Sequence, residues 1–182
     1  MTTILSAAFP EIAWITLADF AGAPEPEETG HTYAANACIK AESAAKFTEE
    51  WAIADDAGLE IDALDGAPGL YSKRFGGEAL AFPEKMGRVL SLLENVPEAE
   101  RGARFRCAVA LARPGCATED FEAICEGRIA KEPSGVGGFG YDPIFYLPEL
   151  GRTMAELTPG EKHAVSHRGQ VLGRVITRLR CF

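Results

Sequence analysis

The sequence predicts an α/β protein in which a β-sheet is flanked by helices. Short apolar runs typical of strands alternate with segments of helical periodicity, and turns rich in glycine or proline separate them. A chain of 182 residues is long enough for one sizeable core and too short for two ordinary domains with independent cores. We therefore expect a single domain over residues 1–182.

Four segments in the first third of the chain have the pattern of a regular element. Ile12 to Leu17 and Trp51 to Ala54 are short apolar runs, which predict strands. Thr32 to about Lys46 predicts a helix, because its small apolar residues share one face. Leu59 to Leu64 can extend as a further strand. The pair Asp55-Asp56 would then lie at the carboxyl end of a strand, where open α/β sheets place their ligand chemistry.

Turn and cap signals predict the later elements. Pro83 to Leu93 predicts a helix. Phe105 to Leu111 and Phe121 to Ile129 predict two antiparallel strands, because the turn Arg113-Pro114-Gly115 between them has hairpin-like spacing. Near the end of the chain, Thr158-Pro159-Gly160-Glu161 matches a capping box with proline at the first helical position, so we expect a helix to begin there.

The charge balance restricts the class of partner. The formal net charge is −9 and the pI is near 4.9, which disfavours nucleic acids and acidic membranes because phosphate backbones require a basic surface. No apolar run is long enough to cross a bilayer, so we expect a soluble protein. A divalent cation held by carboxylates could still carry a small polyphosphate, which favours mononucleotides over polymers.

The five cysteines argue for a reducing compartment. They contain no C-x-x-C pair and are scattered through mostly apolar surroundings, as expected of reduced core residues rather than of a zinc site or a disulfide scaffold. The N-terminus also lacks the pattern of a secretory signal. We therefore expect a cytoplasmic protein.

The segment Gly137-Gly138-Phe139-Gly140-Tyr141-Asp142 has the composition of a purine pocket. Its glycines let the backbone approach a ligand closely, and Phe139 and Tyr141 offer flat faces for a base. Asp142 can accept hydrogen bonds from the N–H groups of a 6-oxopurine, while Arg or His can donate to the exocyclic oxygen. The alternative is structural: a glycine-rich turn that leads into a buried strand at Ile144-Phe145-Tyr146.

The motifs together resemble the inosine triphosphate pyrophosphatases, a family of non-canonical purine nucleoside triphosphate pyrophosphatases. The resemblance runs from roughly Ile12 to Thr177. It depends on five groups of residues: Glu28-Thr29-Gly30 with Asn36-Ala37 and Lys40-Ala41, Ala54-Asp55-Asp56 with Gly58-Leu59, Gly66-Ala67-Pro68-Gly69 with Tyr71-Ser72, Gly138 to Pro143, and Ser166-His167-Arg168-Gly169. The family fold implies an elongated mixed β-sheet with flanking helices, in two lobes around a central cleft.

The resemblance also implies an activity and a cofactor. The family hydrolyses ITP, dITP and XTP to a monophosphate and pyrophosphate, with Mg²⁺ and with Mn²⁺ as a possible substitute. It also implies a homodimer. Under this hypothesis the substrate is a purine nucleoside triphosphate, and neither a nucleic acid polymer nor a membrane is a partner.

The family's functional residues can be carried over position by position. Asp56 becomes the general base that activates water and also a metal ligand, with Asp55 beside it. Phe139 stacks on the base, Asp142 reads its edge, and the backbone amides near Gly138 to Gly140 line the pocket wall. Tyr141 is a further substrate-binding residue. The remaining implied contacts are Lys162 to the phosphates, and His167 and Arg168 to the base.

Three features depart from the family pattern. The family begins with a strand and a Thr-Gly-Asn-x-x-Lys loop, whereas Met1 to Pro10 resembles the tail of the following helix, so we expect that first strand to be missing. Ala35 stands where we expect relatives to carry a metal-binding glutamate, with Glu42, Asp62 and Asp65 as candidate replacements. Ala57 stands where relatives have a serine.

These departures leave a second hypothesis open, in which the chain binds purine nucleotides with impaired catalysis or none. Several other residues are expected to have structural or solvated roles. They are His31, His163, Lys73-Arg74 and the acidic loop Glu25-Glu27-Glu28.

Overall fold

Five strands form one sheet whose spatial order follows the order of the chain. The strands are β1 (Ala52–Ile61), β2 (Gly102–Ala112), β3 (Glu119–Ile129), β4 (Phe145–Leu147) and β5 (Arg152–Thr153). β4 pairs antiparallel with both β3 and β5. The computed structural model describes all 182 residues. The α/β class predicted from the sequence is confirmed.

Five helices accompany the sheet: α1 (Thr2–Ala8), α2 (Tyr33–Thr48), α3 (Phe82–Leu92), α4 (Pro159–Val165) and α5 (His167–Leu179). α2 begins where the sequence predicted, because Thr32 Oγ1 accepts a hydrogen bond from the Ala35 amide at 3.1 Å. The predicted capping box also forms, since Thr158 and Glu161 bond to each other's backbone amides at the start of α4. No helix combines the length and apolar character needed to span a bilayer.

The chain divides into two compact units. The first unit comprises residues 1–56, 107–123 and 167–182, and the second comprises residues 57–106 and 124–166. In the first unit, α1 packs on α5, and residues 107–112 of β2 are buried. The core of the second unit includes Leu59, Val89 and Ile144, and the rings of Phe105 and Phe145 lie 4.4 Å apart between centroids. Tyr141 of the loop of residues 138–142 also belongs to this core.

Two strand predictions were wrong. Ile12 to Leu17 contains no strand, and Leu17 begins a short 3-10 turn instead. Residues 12–17 are mostly apolar, but Ile15 is 65% exposed and this segment is not paired with any strand of the sheet. Leu59 to Leu64 is not a separate strand, because β1 runs without a break from Ala52 to Ile61.

The continuity of β1 changes where its acidic residues lie. Asp55 and Asp56 occupy the middle of the strand rather than its carboxyl end. Both carboxylates find cationic partners inside the first unit, so two adjacent acidic residues need not end the strand.

The prediction that all five cysteines belong to the core was wrong in part. All five are free thiols, but Cys116 and Cys181 are exposed. Cys116 lies in the turn after β2 and Cys181 follows α5, so both fall outside the buried elements of their unit.

Candidate active site

Asp56 is held by two polar side chains of α2. Its Oδ1 lies 3.0 Å from Lys40 Nζ, and its Oδ2 accepts a hydrogen bond of 3.2 Å from Asn36 Nδ2. Asn36 and Lys40 are four residues apart and therefore lie on the same face of the helix. Asn36 is itself fixed, because its Oδ1 accepts from the Gly30 amide at 2.8 Å. The Asp56 carboxylate is thus oriented from both oxygens.

Glu28 joins the same cluster. Its Oε1 lies 3.0 Å from Lys40 Nζ, so the ammonium group of Lys40 stands between the carboxylates of Glu28 and Asp56. Glu28 is exposed to solvent, as expected for this acidic loop, and it makes the contact with Lys40 in addition. The sequence signal was present, because Glu28 and Lys40 both belong to the motif on which the family resemblance depends. We call Glu28, Asn36, Lys40 and Asp56 the Asp56 cluster.

The pKa values of Asp56 and Lys40 are both raised, but for different reasons. Burial raises the pKa of Asp56, although hydrogen bonds and charge from Lys40 and a hydrogen bond from Asn36 oppose the shift. For Lys40, burial acts to lower the pKa, but the contacts with Asp56 and Glu28 outweigh it and raise the pKa. The carboxylate therefore takes up a proton more readily than an ordinary aspartate, whereas the lysine stays charged.

Asp55 belongs to a different set of contacts. Its Oδ2 accepts hydrogen bonds from Arg168 Nε at 2.9 Å and from Arg168 Nη2 at 2.6 Å. Cys107 Sγ lies 3.9 Å from the same oxygen, and burial raises the pKa of that thiol to about 12. Arg168, predicted to contact the base, is in this state an ion-pair partner of Asp55.

The second unit contains the predicted base-recognition loop, residues 138–142. Gly138 and Gly140 have φ values of +73° and +65°, a region that favours glycine. Between them, Phe139 is 56% exposed, and Lys162 Nζ lies 4.2 Å from the centroid of its ring. The loop thus presents an aromatic face with a cation beside it, which is a suitable surface for a flat heterocycle.

Asp142 anchors this loop from inside. The residue is 1% exposed, and its Oδ2 accepts a hydrogen bond of 2.6 Å from the Phe139 amide. The same oxygen makes a short contact with Lys162 Nζ. A side chain at position 138 would collide with that oxygen and would approach Lys162 Nζ to 3.0 Å, so only glycine fits there. In this state, the carboxylate expected to read a base edge also holds the loop together.

The predicted site residues are divided between the two compact units. Asp55, Asp56, His167 and Arg168 belong to the first unit, and the second unit contains Phe139, Gly140, Tyr141, Asp142 and Lys162. His167 is buried at the first position of α5, directly before Arg168. Sequence reasoning did not assign roles to Glu28, Asn36 and Lys40, because only the packing of α2 on β1 brings them to Asp56.

Two of the three residues considered as replacement metal ligands are engaged elsewhere. Glu42 accepts a hydrogen bond of 2.6 Å from Thr118, and Asp62 pairs with Arg104 at 2.8 Å. Ala35 lies in the first turn of α2. Glu28 is the carboxylate that shares Lys40 with Asp56, and it therefore provides a second acidic group in this cluster.

The donor chemistry of the Asp56 cluster fits Mg²⁺. Carboxylate oxygens are the ligands that this ion prefers, and Mg²⁺ is commonly held by one or two carboxylates together with water and substrate phosphates. Asp56 and Glu28 are two such carboxylates, each 3.0 Å from Lys40 Nζ. Asp55 contacts Arg168 through its Oδ2.

Comparisons with known proteins show which family this chain resembles. The model of the Ham1 family matches residues 1–177. A dITP/XTP pyrophosphatase from Desulforamulus reducens is 50% identical over 162 residues, which cover 89% of this chain and 81% of that protein. One from Geobacillus kaustophilus is 50% identical over 160 residues, which cover 88% and 78%.

Solved structures give the same result. The chain matches a HAM1 protein from Coxiella burnetii with a TM-score of 0.90 at 42% identity, covering 100% of this chain and 94% of that one. It matches the Staphylococcus aureus Ham1 protein with a TM-score of 0.90 at 37% identity, covering 98% and 92%.

Proposed function

Because the chain belongs to the Ham1 family, we propose that it hydrolyses the non-canonical purine nucleoside triphosphates ITP, dITP and XTP to a monophosphate and pyrophosphate. Family membership confirms the resemblance inferred from the motifs. The observation that carries the proposal is the Asp56 cluster, in which a half-buried carboxylate of raised pKa is oriented by Lys40 and Asn36.

Asp56 has the properties of a general base in this proposal. A carboxylate whose pKa is raised accepts a proton from water more effectively than an ordinary aspartate. A water molecule gives one proton to Asp56 while its oxygen forms a bond to the α phosphorus. The phosphoanhydride bond between the α and β phosphates breaks, and pyrophosphate leaves. Lys40, which stays charged, favours the ionised form of Asp56 before the transfer, and this is the form that can accept the proton.

Asp56 and Glu28 are the residues that would hold the metal ion. When bound, Mg²⁺ supplies charge neutralisation for the phosphates and orients the reacting groups. Asp55, the other acidic residue expected to bind metal, remains a proposed ligand, and its Oδ2 also contacts Arg168. Asn36 keeps the Asp56 carboxylate oriented independently of the ion.

The contacts proposed for the base are those that the family resemblance implies. Phe139 stacks on the purine, because its ring is exposed on a loop of fixed shape. Gly140 keeps the backbone beside it open, and Lys162 stands next to the ring where it can meet a phosphate. Asp142, His167 and Arg168 are proposed to select the 6-oxopurine edge, with Asp142 also supporting the loop.

The physical state of the protein belongs to the same proposal. We expect a cytoplasmic homodimer that uses neither nucleic acid nor a membrane. The net charge of −9 disfavours nucleic acid and acidic membranes, the five free thiols are in keeping with a reducing compartment, and the homodimer is what the family resemblance implies. Light scattering tests the dimer, and a clean monomer over a wide concentration range would contradict it.

Pyrophosphate release from dITP, XTP and dGTP with Mg²⁺ tests the function. We expect turnover of dITP and XTP to exceed that of dGTP and to fall at least about 100-fold in Asp56→Asn. Asp62→Asn is the matched control, because Asp62 is an exposed aspartate paired with Arg104. A folded protein that binds dITP in calorimetry without releasing pyrophosphate would support the nucleotide-binding alternative instead.

A further inference from the structure

Tyr141 connects the base-recognition loop to the segment of residues 69–73, which is far away in the sequence. Tyr141 is 2% exposed, and its hydroxyl donates a hydrogen bond of 3.0 Å to the backbone carbonyl of Ser72. Its ring meets Phe82 edge to face at 5.5 Å between centroids. A buried phenol hydroxyl needs a hydrogen-bond partner, so this contact fixes the direction of the Tyr141 side chain.

Ser72 ties the same segment to the sheet. Its side chain is buried, and its Oγ accepts a hydrogen bond of 2.8 Å from the Leu59 amide on β1. The hydroxyl in turn donates to the Gly69 carbonyl at 2.6 Å. Ser72 therefore uses its backbone to hold Tyr141 and its side chain to hold β1, all within the second unit.

A buried lysine reinforces the segment. Lys85 is 3% exposed, its ammonium group donates to the Lys73 carbonyl, and it lies 5.2 Å from the centroid of the Phe82 ring. A buried cation is costly unless hydrogen bonds satisfy it, so the Lys73 carbonyl is strongly held. The carbonyls of two successive residues, 72 and 73, are thus both fixed, which makes residues 69–73 a rigid support.

The loop of residues 138–142 needs such a support. Its two glycines with positive φ give it large conformational freedom in the absence of contacts, and the Phe139 ring is mostly exposed. Asp142 holds the loop at Phe139, but the loop must also be held against the rest of the unit. An aromatic face that is ordered before the base arrives avoids the entropic cost of ordering it on binding.

We propose that Ser72 and Tyr141 form a clamp that pre-orders the Phe139 loop for base recognition. The clamp is a positioning device and does not touch the reacting atoms. It rests on the proposed function, because the loop is taken to stack on the purine. Removing the clamp should therefore weaken binding of the base while the chemical step is preserved.

Tyr141→Phe is the most direct test, because it removes one hydroxyl and keeps the ring on Phe82. We expect KM for dITP to rise about tenfold with kcat within about twofold of the parent protein, and the affinity for IMP in calorimetry to fall by a similar factor. Ser72→Ala should shift KM in the same direction, because it removes the link to Leu59. Tyr146→Phe is the control, since Tyr146 is a half-buried tyrosine of β4 in the same unit.

The outcomes separate the clamp from a purely structural role. If Tyr141→Phe lowers the melting temperature but leaves KM and IMP affinity unchanged at 20 °C, the clamp is overturned while the proposed function stands. If the parent protein binds dITP without turnover, the comparison of dITP affinities decides the same question. If the parent neither turns over nor binds a purine nucleotide, the proposed function fails, and the base-positioning role of the clamp is overturned with it.

Discussion

Asp55 and Asp56 are neighbours in the chain, yet their carboxylates serve opposite faces of β1. Successive side chains of a strand point to opposite sides, and here Asp55 meets Arg168 of α5 whereas Asp56 meets Lys40 of α2. The two acids therefore have different environments and different expected roles. Asp55 is part of an ion pair, and Asp56 is the oriented carboxylate proposed as the base.

A double-mutant cycle should detect the ion pair on the Asp55 face. We expect Asp55→Asn and Arg168→Gln each to destabilise the protein, with a coupling free energy of about 1–3 kcal/mol, because the pair is charge-assisted and mostly shielded from solvent. Urea unfolding of the parent, the two single variants and the double variant measures it. A coupling near zero would mean that the pair contributes nothing to folding.

The pH dependence of catalysis should report the environment of Asp56. Because burial raises the pKa of Asp56, the acid limb of kcat/KM is expected above the ordinary aspartate value of about 3.9. Lys40→Met should move this limb to higher pH, since Lys40 favours the ionised carboxylate. Lys46→Met, on the last turn of the same helix, should leave it in place. A Lys40→Met limb at the same or lower pH would contradict this assignment.

The same shift has a consequence for stability. Asp56 binds its proton more tightly in the folded protein than in the unfolded chain. Its contribution to the free energy of unfolding is therefore fully present below about pH 3.9 and is lost as the pH rises through the raised folded value. Asp56→Asn should remove this contribution, so the difference in unfolding free energy between the parent and the variant should change with pH in that window. A difference that stays constant across the window would show that Asp56 has the same pKa in both states.

The dependence of activity on Mg²⁺ should distinguish the role of Glu28 from that of the other acidic residues. We expect a chelator to abolish pyrophosphate release and added Mg²⁺ to restore it. Glu28→Gln should raise the Mg²⁺ concentration needed for half-maximal activity by about tenfold or more, because it removes one carboxylate ligand. Glu27→Gln, in the same acidic loop, is the control. Equal Mg²⁺ requirements in the two variants would remove Glu28 from the metal site.

Gly138 provides a test of the loop geometry. Gly138→Ala should destabilise the protein by about 1–3 kcal/mol, because φ is +73° and the added methyl group would meet Asp142 and Lys162. Gly87→Ala is the matched control, because Gly87 lies in α3 with open space around it. This substitution should raise the free energy of unfolding by up to about 1 kcal/mol. Thermal and urea unfolding measure both. A neutral Gly138→Ala would show that the loop can adopt another conformation.

Local signals were sufficient for much of the secondary structure. The Thr32 cap and the small apolar face predicted α2, and the Thr158 capping box predicted the start of α4. These predictions succeed because a cap and the residues it bonds are three positions apart. The Ile12 to Leu17 prediction failed because a strand exists only with a partner, which its own residues do not specify.

Elements stabilised by local interactions can be predicted from the sequence alone. The sequence motifs also identify the family and the chemical types of the proposed site residues. Which of these residues contact one another depends on the tertiary fold. Glu28, Lys40 and Asp56 meet across 12 and 16 positions, and Tyr141 meets Ser72 across 69. Such contacts depend on how a helix packs on a strand and how a loop is anchored in a core. Burial then sets the proton affinity of Asp56, which its place in the sequence alone does not specify.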